Sequence, residues 1–236
     1  MQGKHWLLMV LSTIIFVLFG YIAITVLNSS DDTPETTEVN TSQNVSSEMD
    51  TSTENDVEEI TRENDDTVIV IDDKEFNQDD VDFIKYLQLA QIDYFEAEAG
   101  ENWNEARRTQ AANNTQIQNL IELNIMQSLG DEKGYEFTDE EIEEAKDEFN
   151  AQFSDTENYT NAQELAGDDF DDKFTTFIVQ RMTIDAIIDD LRAMAEQEFP
   201  NTREEDIVYE AGKEYQMLLT DERDDHQIRV FYDSNE

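Results

Sequence analysis

Carboxylates are the side chains with chemical capability that this sequence offers in quantity. The chain has 58 Asp and Glu against 15 Lys and Arg in 236 residues, with two histidines and no cysteine. Adjacent acidic pairs occur at 168–169, 171–172 and 189–190, but chance alone produces such pairs in so acidic a chain. An acid–base enzyme needs two carboxylates whose surroundings separate their pKa values, and nothing marks a pair for that role. We therefore predict that the chain has no catalytic residues and is not an enzyme.

Metal, cofactor and nucleic-acid chemistry also lack the residues they need. Calcium loops place oxygen ligands at alternating positions around a glycine turn, and residues 167–172 (GDDFDD) lack that spacing. Without cysteine there is no zinc knuckle, iron–sulfur cluster or thiol nucleophile, and His5 and His226 are too few for a multi-histidine site. A net charge of −43 repels phosphate backbones. The sequence predicts no metal, no cofactor and no nucleic-acid partner.

Large apolar side chains are the remaining candidates for functional residues. A function that depends on them would be binding rather than catalysis. Methionine and phenylalanine adapt to irregular apolar partners, so some of them could line a groove for unfolded polypeptides. The candidates for such a groove are Phe83, Tyr94, Phe153, Phe174, Phe177, Met182 and Met194. The alternative for each is an ordinary place in a helix core, and the sequence does not separate the two.

Five helices and a short β element are predicted to position these side chains. Apolar residues recur at helical spacing in each helix, for example at Phe83, Leu87, Ala90 and Tyr94. The first predicted helix starts near Asn77, and the second has an apolar stripe from Ile117 to Leu129 and ends with Gly130 as its C′ residue. The third starts at Thr138, the fourth runs from Phe174 to about Gln197, and the fifth starts at Thr202. The β-branched run at 67–71 and the segment 227–232 (QIRVFY) predict strands. The fold class is mainly α.

Three of the helix starts carry capping patterns. Asn77 is followed three residues later by Asp80, which gives a cap and an acidic first turn. The segments 138–141 (TDEE) and 202–205 (TREE) both match the capping box, in which a threonine and the glutamate three residues later bond to each other's backbone amides.

The N-terminal segment is predicted to anchor the chain in a membrane. From Trp6 to Leu27 there are 22 residues without a charge, and at 1.5 Å per residue they span a bilayer core of about 30 Å. Lys4 precedes the span and Asp31 follows it, so the positive-inside rule places the remainder outside the cytoplasm. A cleaved signal peptide is the alternative, although the apolar run is long for one.

A polar linker separates the predicted anchor from the predicted folded domain. Residues 28–66 are almost entirely Ser, Thr, Asn, Asp, Glu and Gln, a composition too poor in apolar area to offset the entropy of ordering. The predicted organisation is therefore an anchor at 1–27, a disordered acidic linker at 28–66 and a helical domain at 67–236. The dense carboxylate surface is typical of exported proteins in high salt or at high pH, as in a halophilic or alkaliphilic Gram-positive bacterium.

The order of these elements resembles the N-terminal domain of SurA-type chaperones, which also occurs in PrsA-like foldases and trigger-factor-like proteins. The segment 70–81 (VIDDKEFNQDDV) is similar to the strand, turn and helix cap that open that domain. The segments 120–129 (LIELNIMQSL) and 137–142 (FTDEEI) are similar to its apolar helix and to the Thr-Asp-Glu-Glu element that follows. The resemblance covers roughly residues 68–225.

The resemblance implies a chaperone-like domain that binds unfolded or exported polypeptides without catalysis. A parvulin-type isomerase domain usually follows in full-length members, whereas this sequence ends at Glu236. One alternative is a membrane-tethered structural or regulatory protein that docks a specific envelope partner, and another is a degenerate isomerase. A homodimer is a further expectation, which the sequence leaves open.

Overall fold

Residues 66–231 are described by a computed structural model, and they belong to a compact unit that runs Arg62–Glu236. This part of the chain is mainly helical with a small sheet, which confirms the predicted fold class in its coarse form. Its elements in chain order are β1 (Thr67–Ile71), β2 (Lys74–Asn77), α1 (Gln78–Ala99), α2 (Asn104–Ala111), α3 (Asn113–Lys133), α4 (Asp139–Phe153), α5 (Glu157–Ala166), a 3₁₀ turn (Gly167–Asp169), α6 (Phe170–Glu198), α7 (Glu204–Asp225) and β3 (Ile228–Val230).

The sheet joins the two ends of the described chain. Its three strands are antiparallel in the order β2-β1-β3, with Ile71 opposite both Lys74 of β2 and Ile228 of β3. Asp72 begins the β1–β2 turn with a φ of 54°, in the left-handed region that Asp and Asn tolerate better than most residues. Both strands expected from the β-branched and aromatic runs are present as β1 and β3, and β2 forms a hairpin with β1 on the other side of it.

Two of the three predicted helix caps are confirmed. The Asn77 side chain accepts from the Asp80 amide at 3.0 Å, and the Asp80 carboxylate accepts from the Asn77 amide at the same distance. Thr138 and Glu141 make the same reciprocal pair at the start of α4. The cap predicted at Thr202 is wrong, because α7 begins one residue later with Arg203 as a cap that makes no side-chain bond to the backbone.

The structure contains two helices that the sequence did not predict, making seven α-helices in the described residues rather than about five. The first, α2, buries none of its residues and is tied to α1 by Arg107, whose guanidinium lies 2.8 Å from Asp93. The second, α5, is capped by Thr156 and buries Tyr159 and Ala162. Both are short, and although α5 has Tyr159, Ala162 and Ala166 at helical spacing, ten residues are too few to separate that spacing from chance.

Gly130 has a different role from the predicted one. The helix α3 continues past it to Lys133, and Gly134 takes the left-handed C-cap position with a φ of 79°. A Cβ at position 130 would lie 2.2 Å from Cγ2 of Thr183 on α6. Gly130 therefore permits close approach of α3 and α6, and the prediction that it ends the helix is wrong.

The predicted anchor and residues 28–65 of the predicted linker lie outside the described residues, as does Tyr232 of the predicted closing strand. Within 66–231, none of the helices is both long enough and apolar enough to cross a membrane.

Candidate polypeptide-binding surface

Five of the seven residues predicted to bind polypeptides lie together, in an aromatic cluster between α1, α4, α5 and α6. The rings pack mostly edge to face around Phe149, whose centroid lies 4.5 Å from that of Phe153, 5.3 Å from Phe174 and 5.9 Å from Phe177. The cluster consists of Phe83, Tyr94, Phe95, Phe149, Phe153, Tyr159, Phe170, Phe174 and Phe177.

The aromatic cluster is a core rather than a groove. Phe83, Phe153, Phe174 and Phe177 are buried, while Tyr94 is half-buried at the margin of the cluster. Buried rings cannot contact a polypeptide while this packing holds. Edge-to-face contacts of this kind add to the free energy of folding beyond the apolar area they bury. The use of these side chains in polypeptide binding stays a prediction.

The two predicted methionines follow the aromatic cluster along α6, with Met182 near the middle of the helix and Met194 near its C-terminal end. Met182 is half-buried, and Met194 is 64% exposed. In the described part of the chain, the large apolar side chains that are exposed lie within residues 194–217, and they are Met194, Phe199, Tyr209 and Met217. We call these four side chains the hairpin surface, because they belong to α6, α7 and the turn between them.

The turn between α6 and α7 is held by backbone hydrogen bonds. The amide of Phe199 donates to Ala195 at 2.9 Å and closes the last turn of α6, and the amide of Thr202 donates to Phe199 at 3.2 Å. Pro200 follows the end of α6, and Asn201 has a φ of 75° that reverses the chain. Phe199 is thus held at the tip of a helical hairpin with 40% of its surface exposed.

One side of α7 packs against the rest of the domain and leaves another side exposed. Ile207, Ala211 and Tyr215 recur every four residues and are buried. Tyr209 and Met217 lie off that stripe and are 62% and 51% exposed. Because one face of α7 is buried, the rotation of the helix is fixed, and Tyr209 and Met217 are directed to solvent.

A buried polar cluster attaches α7 to α3 and α6. The hydroxyl of Tyr215 donates to Glu122 of α3 at 2.7 Å. Desolvation raises the pKa of Glu122, although the Tyr215 hydrogen bond and the charge of Arg181 on α6 oppose that shift. The pKa of Tyr215 is raised well above its ordinary value by burial, by the charges of Glu122 and Asp185, and by its hydrogen bond. The cluster fixes the position of α7 relative to α3 and α6.

His226 joins the end of α7 to the sheet and makes no site with other ligands. Its Nδ1 lies 2.7 Å from Oδ2 of Asp72, and the amide of Gln227 donates to the other oxygen of that carboxylate. Partial burial acts to raise the pKa of Asp72, but these two hydrogen bonds outweigh it and the pKa is lowered. Within residues 66–231, no three His, Asp or Glu side chains come together in a way that could hold a metal ion.

Comparison with known proteins identifies no relative: no family model matches the chain, and neither does any curated protein or solved structure.

Three of the four residues of the hairpin surface were not predicted from the sequence. Phe199 is separated from the α6 stripe by the end of the helix, and Tyr209 and Met217 are off the stripe of α7. For Tyr209 and Met217, the position off the stripe could have predicted exposure from the sequence. A large apolar residue outside the buried stripe of an amphipathic helix must be exposed or bound by a partner.

Proposed function

We propose that this chain is a membrane-anchored, extracytoplasmic, chaperone-like protein that binds unfolded or exported polypeptides without catalysis. The observation that carries the binding function is the hairpin surface, where four large apolar side chains are exposed on one helical hairpin. The resemblance of the sequence to SurA-type domains supports the same function. The uncharged run from Trp6 to Leu27 supports the anchor and the placement of the domain outside the cytoplasm.

The hairpin surface suits transient binding of segments that differ in sequence. Two of its four side chains are methionines, whose flexible thioethers fit irregular apolar partners. The buried face of α7 and the Tyr215–Glu122 hydrogen bond already hold the helix in place. A client therefore gains contacts with Met194, Tyr209 and Met217 without unfolding the domain, and it releases them as its own apolar side chains become buried.

The length of α7 separates the hairpin turn from the sheet. Its 22 residues make a rod of about 33 Å that begins beside the hairpin turn and ends at His226, next to β3. The chain enters the described part at β1, the strand paired with β3. The proposed linker would thus join the domain about one helix length from Phe199, which leaves the hairpin turn free to meet a client.

Suppression of aggregation tests the proposal. The full chain, reconstituted in nanodiscs of zwitterionic lipid, is mixed with insulin reduced by dithiothreitol, and light scattering is followed. We expect the wild type to delay aggregation and a triple serine variant at Met194, Tyr209 and Met217 to lose most of the delay. These side chains are exposed, so the fold should survive their replacement, and circular dichroism checks this.

A matched control separates loss of the surface from a general effect of three substitutions. Ala97, Ala99 and Ala151 are exposed on α1 and α4, outside the hairpin, and their change to serine should leave the delay intact. A wild type that gives no delay, or a hairpin variant that protects as well as the wild type, would refute the proposed function. Capture of one stoichiometric envelope partner without any binding of unfolded chains would support a structural or regulatory role instead.

A further inference from the structure

The hairpin that carries the apolar surface is strongly acidic. Residues 189–217 contain nine Asp and Glu against three Lys and Arg, a net charge of 3 − 9 = −6. Each of the three cations is paired with carboxylates of the same segment: Arg192 with Asp189 and Glu204, Arg203 with Glu205 and Asp206, and Lys213 with Glu210. The positive charges of the hairpin are therefore used internally, and the excess charge presented to a partner is negative.

Carboxylates stand next to the exposed apolar side chains. Glu198 follows Met194 by four residues on α6, and Glu214 precedes Met217 by three on α7, spacings that place side chains side by side on a helix. Both glutamates are exposed, and no ion pair among residues 66–231 engages them. The surface thus offers apolar contacts and unpaired negative charge at neighbouring positions.

This combination favours one kind of occupant over the others. A second copy of the chain or an anionic lipid surface would bring negative charge against the −6 of the hairpin. A purely apolar segment would cover Glu198 and Glu214 without pairing them, which costs free energy because a buried charge needs a partner. A segment with Lys or Arg spaced between large apolar side chains satisfies both parts of the surface.

We propose that the hairpin surface selects cationic, apolar polypeptide segments, with the apolar side chains on Met194, Tyr209 and Met217 and the cations on Glu198 and Glu214. This inference rests on the proposed function and names its substrate class. Exposed pairs contribute modestly to affinity, but they act together and speed the encounter of oppositely charged partners. The selection is electrostatic, so salt weakens it while leaving the apolar contacts in place.

Three fluorescent 15-residue peptides test the inference. They share one set of Leu and Phe positions, and the positions between these are all Lys, all Ser or all Glu. Fluorescence anisotropy measures binding to the full chain in zwitterionic nanodiscs, at low salt and in 1 M NaCl, and empty nanodiscs provide the background. We expect the Lys peptide to bind at least about tenfold more tightly than the Glu peptide at low salt, and the difference to fall below about threefold in 1 M NaCl.

Two charge variants locate the effect. The variant with Glu198→Gln and Glu214→Gln should bind the Lys peptide about fivefold more weakly than wild type at low salt and the Ser peptide unchanged. The control variant Glu140→Gln and Glu144→Gln removes the same charge from exposed positions of α4 and should behave as wild type. Loss of the preference in both variants equally would overturn the inference, since net charge alone would then explain it.

The outcomes distinguish this inference from the proposed function. Equal binding of all three peptides, abolished by the triple serine variant at Met194, Tyr209 and Met217, would overturn the charge selection and leave polypeptide binding standing. No binding of any peptide would refute both. Dimerisation of the wild type that this serine variant abolishes, measured by sedimentation velocity, would make a second copy the occupant and overturn the inference.

Discussion

The two halves of α6 use apolar side chains in opposite ways. In the N-terminal half, Phe174 and Phe177 are 1% exposed and packed among the rings of the aromatic cluster. In the C-terminal half, Met194 is 64% exposed and Phe199 just beyond the helix is 40% exposed. The same continuous helix thus supplies a core at one end and a surface at the other. Apolar content along a helix therefore does not by itself distinguish binding residues from residues that stabilise the fold.

The largest expected difference between the halves is in stability. Phe174→Ala should lower the free energy of unfolding by about 3–5 kcal/mol, because it removes a buried ring and leaves a cavity. Met194→Ala should change it by no more than about 0.5 kcal/mol, because the side chain is mostly in water. Urea unfolding of the full chain, followed by circular dichroism, measures both. Similar losses in the two variants would show that Met194 is packed and would remove it from the hairpin surface.

A smaller effect is expected at the polar cluster that attaches the hairpin to the rest of the domain. Tyr215→Phe should cost about 1–3 kcal/mol at neutral pH, because the half-buried Glu122 carboxylate loses the hydroxyl donor of the buried Tyr215. Glu122→Gln keeps an oxygen that can accept the same hydrogen bond, so it should cost less. Urea unfolding again measures both variants, and a Glu122→Gln variant that loses as much as Tyr215→Phe would contradict this assignment.

The pH dependence of stability sharpens the same test. The pKa of Glu122 is raised in the folded protein above its ordinary value of 4.5. Its contribution is therefore fully present below about pH 4.5 and is lost as the pH rises through the folded pKa. Relative to wild type, Glu122→Gln should become progressively more stable as the pH rises above about 4.5. A constant difference between the two proteins from pH 4 to 8 would contradict the raised pKa.

The smallest effect separates two helix starts that look alike in the sequence. Thr138→Ala should cost about 1 kcal/mol, because the hydroxyl accepts from the Glu141 amide at the start of α4. Thr202→Ala should cost almost nothing, because Thr202 lies outside α7 and makes no cap. Thermal unfolding of the two variants compares the helix that enters the aromatic cluster with the helix that follows the hairpin turn. Equal shifts in Tm would mean that Thr202 caps α7 in solution.

The predictable part of the fold is the part encoded by local pattern. The caps at Asn77 and Thr138 and the stripes of the long helices depend on residues within one or two turns of each other, and the structure contains them. The place of Gly130 depends on Thr183, which is 53 residues away in the sequence (183 − 130) and in contact across two helices. Such a contact leaves no signal in a single sequence, in which a glycine near the end of an apolar stripe has the pattern of a helix cap.

The candidate site was predicted only in part for a related reason. Phe83, Phe153, Phe174 and Phe177 were named because phenylalanine suits both a core and a groove, and only the packing of several helices decides between them. Met194 was named on the same argument and proves to be exposed. Tyr209 and Met217 were open to prediction, because they lie off the apolar stripe that Ile207, Ala211 and Tyr215 form on α7.

The pairing of β1 with β3 has a mechanical consequence for the domain. The two strands are antiparallel, and the Phe231 amide donates to Val68 at 2.9 Å. The described chain therefore begins and ends at the same end of this strand pair. A pulling force applied between residues 66 and 231 would load the hydrogen bonds of this pair one after another, as in opening a zip, rather than all at once in shear. The sheet should therefore yield at low force, before the helices behind it.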